Sequence, residues 1–270
     1  MKEKPGFHVV VARSTMLPGS MRSVVIPTLE ESSGKKAGVD FGVCNNPEFL
    51  REGTAVYDYR NPPKTVIGET DARAGDVLVQ LYEKMNAPLV RTDVETAEMV
   101  KYTDNTWHAL KVAFANEIGN VCKAAGIDGH KVMEIFCQDT KLNLSPYYMK
   151  PGFAFGGSCL PKDVRALTYK ARTMDLDLPV LNAILPSNAR QVAKGIAMVT
   201  AQGKRKVGIL GFAFKAGTDD LRESPLVDLI ETLIGRGYDL RLYDRNVNLA
   251  TLTGANRDYI LNHIPHISKL

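Results

Sequence analysis

The 270-residue sequence predicts an α/β protein: a partial Rossmann-like N-terminal domain, a long central helix with a helical domain, and a partial Rossmann-like C-terminal domain. Three observations carry this expectation. Short apolar, β-branched runs alternate with helix-periodic segments near both ends of the chain. Between them, the stretch from Thr92 to Ala125 is apolar nearly all round, as a buried helix is. Finally, 44% hydrophobic and 24% charged residues are normal for a packed chain and exclude a disordered, collagen-like or coiled-coil protein.

HVVVA (His8 to Ala12) reads as a strand buried on both faces of a parallel sheet. Pro18 and Gly19 punctuate it, and an apolar-periodic helix runs on through Ile26 and Leu29. FGVCN, KTVIG and PLVR supply further strands, with a helix from about Ala72 to Met85, so right-handed crossovers in a doubly wound sheet follow. Thr92 and Glu95 have the spacing of a capping box, and Gly126 is a natural stop. The intervening helix, at 1.5 Å per residue, is about 50 Å long. Its stripe of Trp107, Leu110, Phe114, Ile118, Val121 and Ala125 predicts a central spine and a subunit interface. Helices are expected over 130–138, 161–174 and 182–202. KVGIL and LRLYD then bracket a helix with Ser224 at its N-cap and Pro225 at N1, and another short helix follows. The expected domains are 1–91, 92–203 and 204–270. No G-x-G-x-x-G occurs, so the N-terminal domain reads as the second half of a dinucleotide-binding fold, and the chain as truncated at both ends.

Charge and composition narrow the partners. A net charge of +4 without a basic arm argues against nucleic acid. The four cysteines form no C-x-x-C and the five histidines are dispersed, so neither a metal site nor a disulfide scaffold is expected. The N-terminal apolar run is too short for a signal peptide, and no span of ~18 apolar residues follows. A reducing, cytoplasmic compartment without membrane contact is the expectation.

The chemistry concentrates in five segments. In GFAFGGSCLPKD, Gly156 and Gly157 let backbone pass close to a ligand, and Pro161 opens a helix. Cys159 then lies just outside a helix N-terminus with Lys162 near in sequence, both of which favour thiolate over thiol and suit a nucleophile. A tight turn holding a buried, inert cysteine fits the same spacing equally well. Lys101, Asn105 and His108 share one helix face. Glu48 and Glu52, in the loop after a strand, are one turn apart and could serve as acid and base, and the hydroxyl of Thr15 has the same topological position. Lys215 and Arg222 precede a helix and form an anion site, unless Asp219, Asp220 and Glu223 neutralise them. Tyr147, Tyr148, Lys150 and Phe153 make an aromatic, cationic loop suited to a nucleotide, or to packing against the core.

In this order, ARSTMLPGS, NPEFLREGTA, the K-x-x-x-N of the long helix, FAFGGSCLPKD and FKAGTDDLRESP resemble the UDP-glucose/GDP-mannose dehydrogenase family. PYYMKPGFAFGGSCLPKDVRALTY and GANRDYI are most similar to the branch that converts GDP-mannose to GDP-mannuronate, as in alginate biosynthesis. The resemblance implies a two-step oxidation of a nucleotide sugar at C6 with two NAD, through a thiohemiacetal and a thioester on Cys159. It implies that Lys101 and Asn105 stabilise the oxyanion, and that Thr15, Glu48 and Asp163 handle water and protons, Glu48 as base. Glu52, His108, Asn116, Tyr147, Tyr148, Phe153, Gly156 and Lys215 match substrate-contacting positions; Thr15, Lys162 and Arg222 match NAD-contacting ones. Lys150 stands where the family pattern has arginine, replacing a bidentate phosphate contact by a point charge. A homodimer or higher homo-oligomer is implied. The alternatives are UDP-glucose as substrate, or a non-catalytic dimerising module that binds the nucleotide sugar. Without the glycine fingerprint and its acidic ribose partner, the 270 residues alone are expected to reduce NAD below a family-typical rate.

Overall fold

The computed structural model describes residues 2–51, 53–149, 151–157, 159–214, 217–247 and 258. They divide into two compact units, Met1–Val112 and Ala113–Leu270. In the first, β1 (His8–Ala12), β2 (Phe41–Asn45), β3 (Thr65–Glu69) and β4 (Leu89–Asp93) lie side by side in sequence order. β1 pairs with β2 in parallel, and β3 with β4 likewise, but β2 and β3 run antiparallel. The all-parallel, doubly wound expectation is therefore corrected to a mixed sheet. The connection from Asn46 to Lys64 holds one six-residue helix, α2 (Ala55–Arg60), and returns the chain antiparallel to β2. β1 is also only half-buried throughout, because among the described residues it is an edge strand with β2 on one side alone, whereas all five residues of β2 are buried.

The parallel pairs are joined as the apolar periodicity suggested. After β1, a π-helical turn (Met21–Val25) runs straight into α1 (Ile26–Ser33), which Gly34 ends at φ 68°. Helix α3 (Ala72–Val79) links β3 to β4, with Asp71 capping the Ala74 N–H at 2.9 Å. It stops six residues before the expected Met85, because the chain tightens into turns that send the Tyr82 hydroxyl to the side-chain oxygen of Asn46. One face of the sheet packs Phe41 and Val43 on Met21 and Val94; the other packs Cys44 and Ile67 on Ala74 and Leu78. Gly68 lets a helix close on the sheet, since a Cβ there would lie 2.5 Å from Ala97 Cβ and 2.9 Å from Val94 Cα.

Helix α4 (Val94–Ala124) is 31 residues long. The expected Thr92–Glu95 capping box does not form. Thr92 is still paired in β4, Asp93 caps the Thr96 N–H at 2.7 Å instead, and Glu95 pairs with Arg22. The C-terminal end is as expected: Gly126 takes φ 70°, and the Ile127 N–H reaches the Cys122 carbonyl at 2.8 Å in a Schellman motif. Glu98, 1% exposed, turns its carboxylate back to accept from Gly19 N at 2.6 Å and Met21 N at 2.8 Å. It thus anchors the end of the Ser14–Gly19 loop, which carries Thr15. Glu98→Ala orphans one buried and one half-buried donor and is expected to destabilise the fold by about 3 kcal/mol. Urea unfolding with an unchanged m-value checks this, and a loss below about 1 kcal/mol would refute the anchoring role.

In the second unit α5 (Gly129–Phe136), α6 (Leu160–Arg172) and α7 (Pro179–Ala201) fall within three residues of the expected boundaries. Asp128 caps α5, and the buried carboxylate of Glu117 caps α7 through Val180 N (2.7 Å) and Leu181 N (2.9 Å). Phe114, Ile118 and Val121 pack on Ala171, Leu178 and Leu181 as the apolar stripe of α4 demands. In the first unit the same helix leaves Trp107, Leu110 and Val112 39, 44 and 61% exposed, so it is not buried along its whole length. β5 (Lys206–Leu210) and β6 (Asp239–Tyr243) pair in parallel, and α8 (Pro225–Gly235) packs with them around a core of Ile209, Phe212, Ile230, Leu233 and Leu240. Ser224 occupies the N-cap position, but its hydroxyl donates to the Phe212 carbonyl at 2.7 Å rather than capping. The expected last short helix lies outside the described residues except for Asp258. Among the described residues no helix is long and apolar enough to cross a membrane.

Candidate active site

Each unit carries a cluster of the sequence-predicted residues. In the first, the loop after β2 holds Glu48 in irregular backbone; Glu52 lies outside the described residues. Glu48 Oε2 accepts from Leu50 N at 2.6 Å, which fixes the carboxylate beside its own loop. Lys101 projects from α4 and is 8% exposed. Its ammonium donates to the Glu48 carbonyl at 2.5 Å and lies 3.5 Å from Glu48 Oε1. The Phe49 ring lies 5.4 Å from Lys101 Nζ and 4.7 Å from Lys64 Nζ, and Lys64 is held by Asp104 at 2.7 Å. Asn105 and His108 continue the Lys101 face and are exposed, as is Thr15 beyond β1. The loop is braced by Asp58, whose carboxyl is held well below the usual range, chiefly by the Arg51 side chain. A buried ammonium touching a half-exposed carboxylate is the pairing a carbonyl reaction needs: an electrophile for developing oxyanion and a base beside it. Phe49, Lys64 and Asp104 were not legible as site residues; the signals were Phe49 directly after Glu48 and Asp104 three residues beyond Lys101.

In the second unit, Cys159 is the N-cap residue of α6 and is exposed, so the alternative of a buried cysteine in a tight turn does not hold. Both preceding glycines are required. A Cβ on Gly156 would collide with the Glu223 carbonyl and lie 2.6 Å from Pro225 Cδ; Gly157 sits at φ 88° with the Phe214 ring 2.8 Å from a Cβ there. The Asp163 N–H closes the first turn onto the Cys159 carbonyl at 2.9 Å. Lys162 and Asp163 are exposed and 3.4 Å apart. Arg222 is bidentate to Asp220, with contacts of 2.7 and 2.9 Å. That pair raises the Arg222 pKa, with a smaller contribution from charge on Cys159, so the neutralising alternative holds for this residue. Glu223 pairs with Arg165, not with Arg222. Tyr147 and Tyr148 meet edge-to-face at 4.7 Å and both are exposed, as is Asn116. Phe153 rests on Gly195. Lys150 and Lys215 lie outside the described residues.

Within the second unit, the cations chemically suited to a phosphate are Lys162, which is exposed, and Arg222, which is already paired; within the first, Thr15 offers an exposed hydroxyl. The four thiols separate sharply. Burial, then Glu69 and Asp71, pushes the Cys44 pKa up to about 12, and Cys122 is buried, whereas Cys137 and Cys159 are exposed. Iodoacetamide at pH 8 is therefore expected to label Cys137 and Cys159 and spare the other two, with all four labelled in urea. Peptide mass spectrometry reads this; rapid labelling of Cys44 in the native chain would contradict the packing.

The UDP-glucose/GDP-mannose dehydrogenase family matches through its NAD binding domain at residues 1–86, its central domain at 95–190 and its UDP binding domain at 208–265. Over all 270 residues the chain is 61% identical to a GDP-mannose 6-dehydrogenase of Pseudomonas aeruginosa and spans 62% of its length. It is 58% identical over the same residues to one of Azotobacter vinelandii, again spanning 62%. A UDP-glucose 6-dehydrogenase of Haloferax volcanii is 37% identical over 253 residues, 90% of this chain and 58% of that protein. A crystal structure of a ternary complex of GDP-mannose dehydrogenase from Pseudomonas aeruginosa matches with a TM-score of 0.96, covering 100% of this chain and 62% of that one. With three domains of one family matched in succession and the solved relative superposing along the whole chain, the protein belongs to the UDP-glucose/GDP-mannose dehydrogenase family.

Proposed function

We propose that this chain carries the chemistry of an NAD-dependent nucleotide-sugar 6-dehydrogenase acting on GDP-mannose. The observation that carries the reading is Cys159, exposed at the N-cap of α6 behind two glycines that nothing larger can replace. NAD, when bound, takes up the hydride released from C6 in each of two oxidations. After the first, the Cys159 thiolate adds to the C6 aldehyde, forming a C–S bond and placing negative charge on O6. Lys101 and Asn105 stabilise that oxygen. After the second, C6 is a thioester; Glu48 takes a proton from the attacking water, the C–S bond breaks, and the thiolate leaves with the acid formed. The net change is alcohol plus water to carboxylate, with two hydrides transferred. In this reading Thr15 and Asp163 assist water and proton handling. His108, Asn116, Tyr147, Tyr148 and Phe153 contact substrate, Lys162 and Arg222 contact NAD, and domains 1–91, 92–203 and 204–270 divide the work.

The identity to GDP-mannose dehydrogenases, against 37% to a UDP-glucose enzyme, favours the guanosine substrate. Turnover is measured at millimolar NAD. The expected products are GDP-mannuronate and two NADH per acid; aldehyde with one NADH, or acid from UDP-glucose alone, would overturn the reading. A cytoplasmic setting goes with this chemistry.

We also propose a homodimer through α4, whose exposed Trp107 and Leu110, three residues apart, share an apolar face suited to a second copy. Sedimentation of Trp107→Asp is expected to give monomers or aggregates. An unmodified chain sedimenting as a monomer at micromolar concentration would refute the dimer.

A further inference from the structure

We infer that Glu223 and Arg165 are positioning residues for Cys159, acting as a clasp between α6 and the loop that enters α8; this rests on Cys159 being the reacting group. Arg165 lies on α6, six residues after Cys159, and its guanidinium grips both carboxylate oxygens of Glu223, at 2.5 and 3.0 Å. Glu223 itself sits at φ 49°, a left-handed conformation rare for a residue with a side chain, and such conformations persist where the surroundings enforce them. Its carbonyl is the atom packed against Gly156, and Pro225 packs there too. From the same loop, the Phe214 ring covers Gly157, while Phe214 N bonds the Asp220 carbonyl at 3.1 Å.

The loop is fixed at its other end. The buried Ser224 hydroxyl donates to the Phe212 carbonyl, and Asp244 Oδ2 accepts from Phe212 N at 2.9 Å and Ala213 N at 3.2 Å. Cys159 is thus held from two directions by one loop: through the glycines before it, and through Arg165 on the helix after it. The ion pair closes that ring. It is half-exposed, so as a surface salt bridge it would add little to stability. Its consequence is geometric: it fixes the end of α6 that carries the thiol against the loop that enters α8.

The test is a double-mutant cycle on thiol reactivity in a Cys137→Ser background, which leaves Cys159 as the exposed thiol. The second-order alkylation rate is followed against pH for Arg165→Gln, Glu223→Gln and the double variant, with thermal unfolding alongside. Each single variant is expected to slow Cys159 about fivefold near pH 7 and move its pH profile, while the double variant equals the singles within about twofold. Should a glutamine variant fail to fold, Arg165→Lys, which keeps the charge and loses the fork, is expected to slow Cys159 by a smaller factor. Wild-type rates in all variants, or effects that multiply in the double, would overturn the clasp. The cycle needs neither NAD nor GDP-mannose, so it stays readable if the dehydrogenase reading fails.

Discussion

Replacing Cys159 with serine abolishes acid formation while leaving GDP-mannose binding intact: this is the largest effect the account predicts. Cys159 is the single thiol of its segment, and it stands at the N-terminus of α6, where the helix dipole favours an anion. A serine hydroxyl there would be almost entirely protonated near neutral pH, whereas a thiolate is both a good nucleophile and a good leaving group. Acid production should fall by about three orders of magnitude or more. Calorimetric affinity for GDP-mannose should change by less than about twofold. Serine is close to cysteine in size and the site is exposed, so stability should hold. Comparable turnover in the serine variant would remove Cys159 from the mechanism.

Lys101→Met is expected to cost about 10²- to 10³-fold in kcat with little change in the KM for GDP-mannose. The lysine is a buried cation. Its ammonium is fixed by the Glu48 carbonyl and carboxylate and by the Phe49 ring, so it is organised before any charge develops on substrate. Methionine matches its length and apolar stem but supplies no donor. Glu48, half-exposed, can take water in place of the lost ammonium, so the fold should survive. Arginine is not an equivalent replacement, because a planar fork does not fit a pocket shaped for a point charge. A variant with raised KM and unchanged kcat would show that Lys101 only binds substrate.

What the sequence revealed depended on how local the determinant was. HVVVA, FGVCN and KVGIL are strands because apolar β-branched runs are, and Gly-Gly-x-Cys-x-Pro announces a close-packed turn into a helix. The antiparallel join of β2 and β3 was invisible because the 46–64 connection is as long as the 70–88 connection that joins a parallel pair, so spacing alone does not separate the two. The Thr92 capping box failed because β4 keeps pairing through Asp93, and two candidate caps stood side by side. Glu98 and Glu117 both lie on the long helix, yet each caps backbone far away in sequence. For Glu117, an isolated acid in an otherwise apolar stretch is the available signal; Glu98, among Glu95, Lys101 and Asp104, has none. Arg222 illustrates the opposite case: its partner, Asp220, is two residues away, and local pairing won over an open anion site.

Trapping the acyl-enzyme tests the account most directly. The chain is mixed with GDP-mannose and millimolar NAD, quenched with hydroxylamine, and both the released sugar and the digested protein are analysed by mass spectrometry. The account predicts a GDP-mannuronic hydroxamate, and, in acid-quenched samples without hydroxylamine, a nucleotide-sugar acyl group on the peptide bearing Cys159. Both should be missing from Cys159→Ser. Acid formed without any hydroxamate, or an adduct mapped to Cys137, would contradict it.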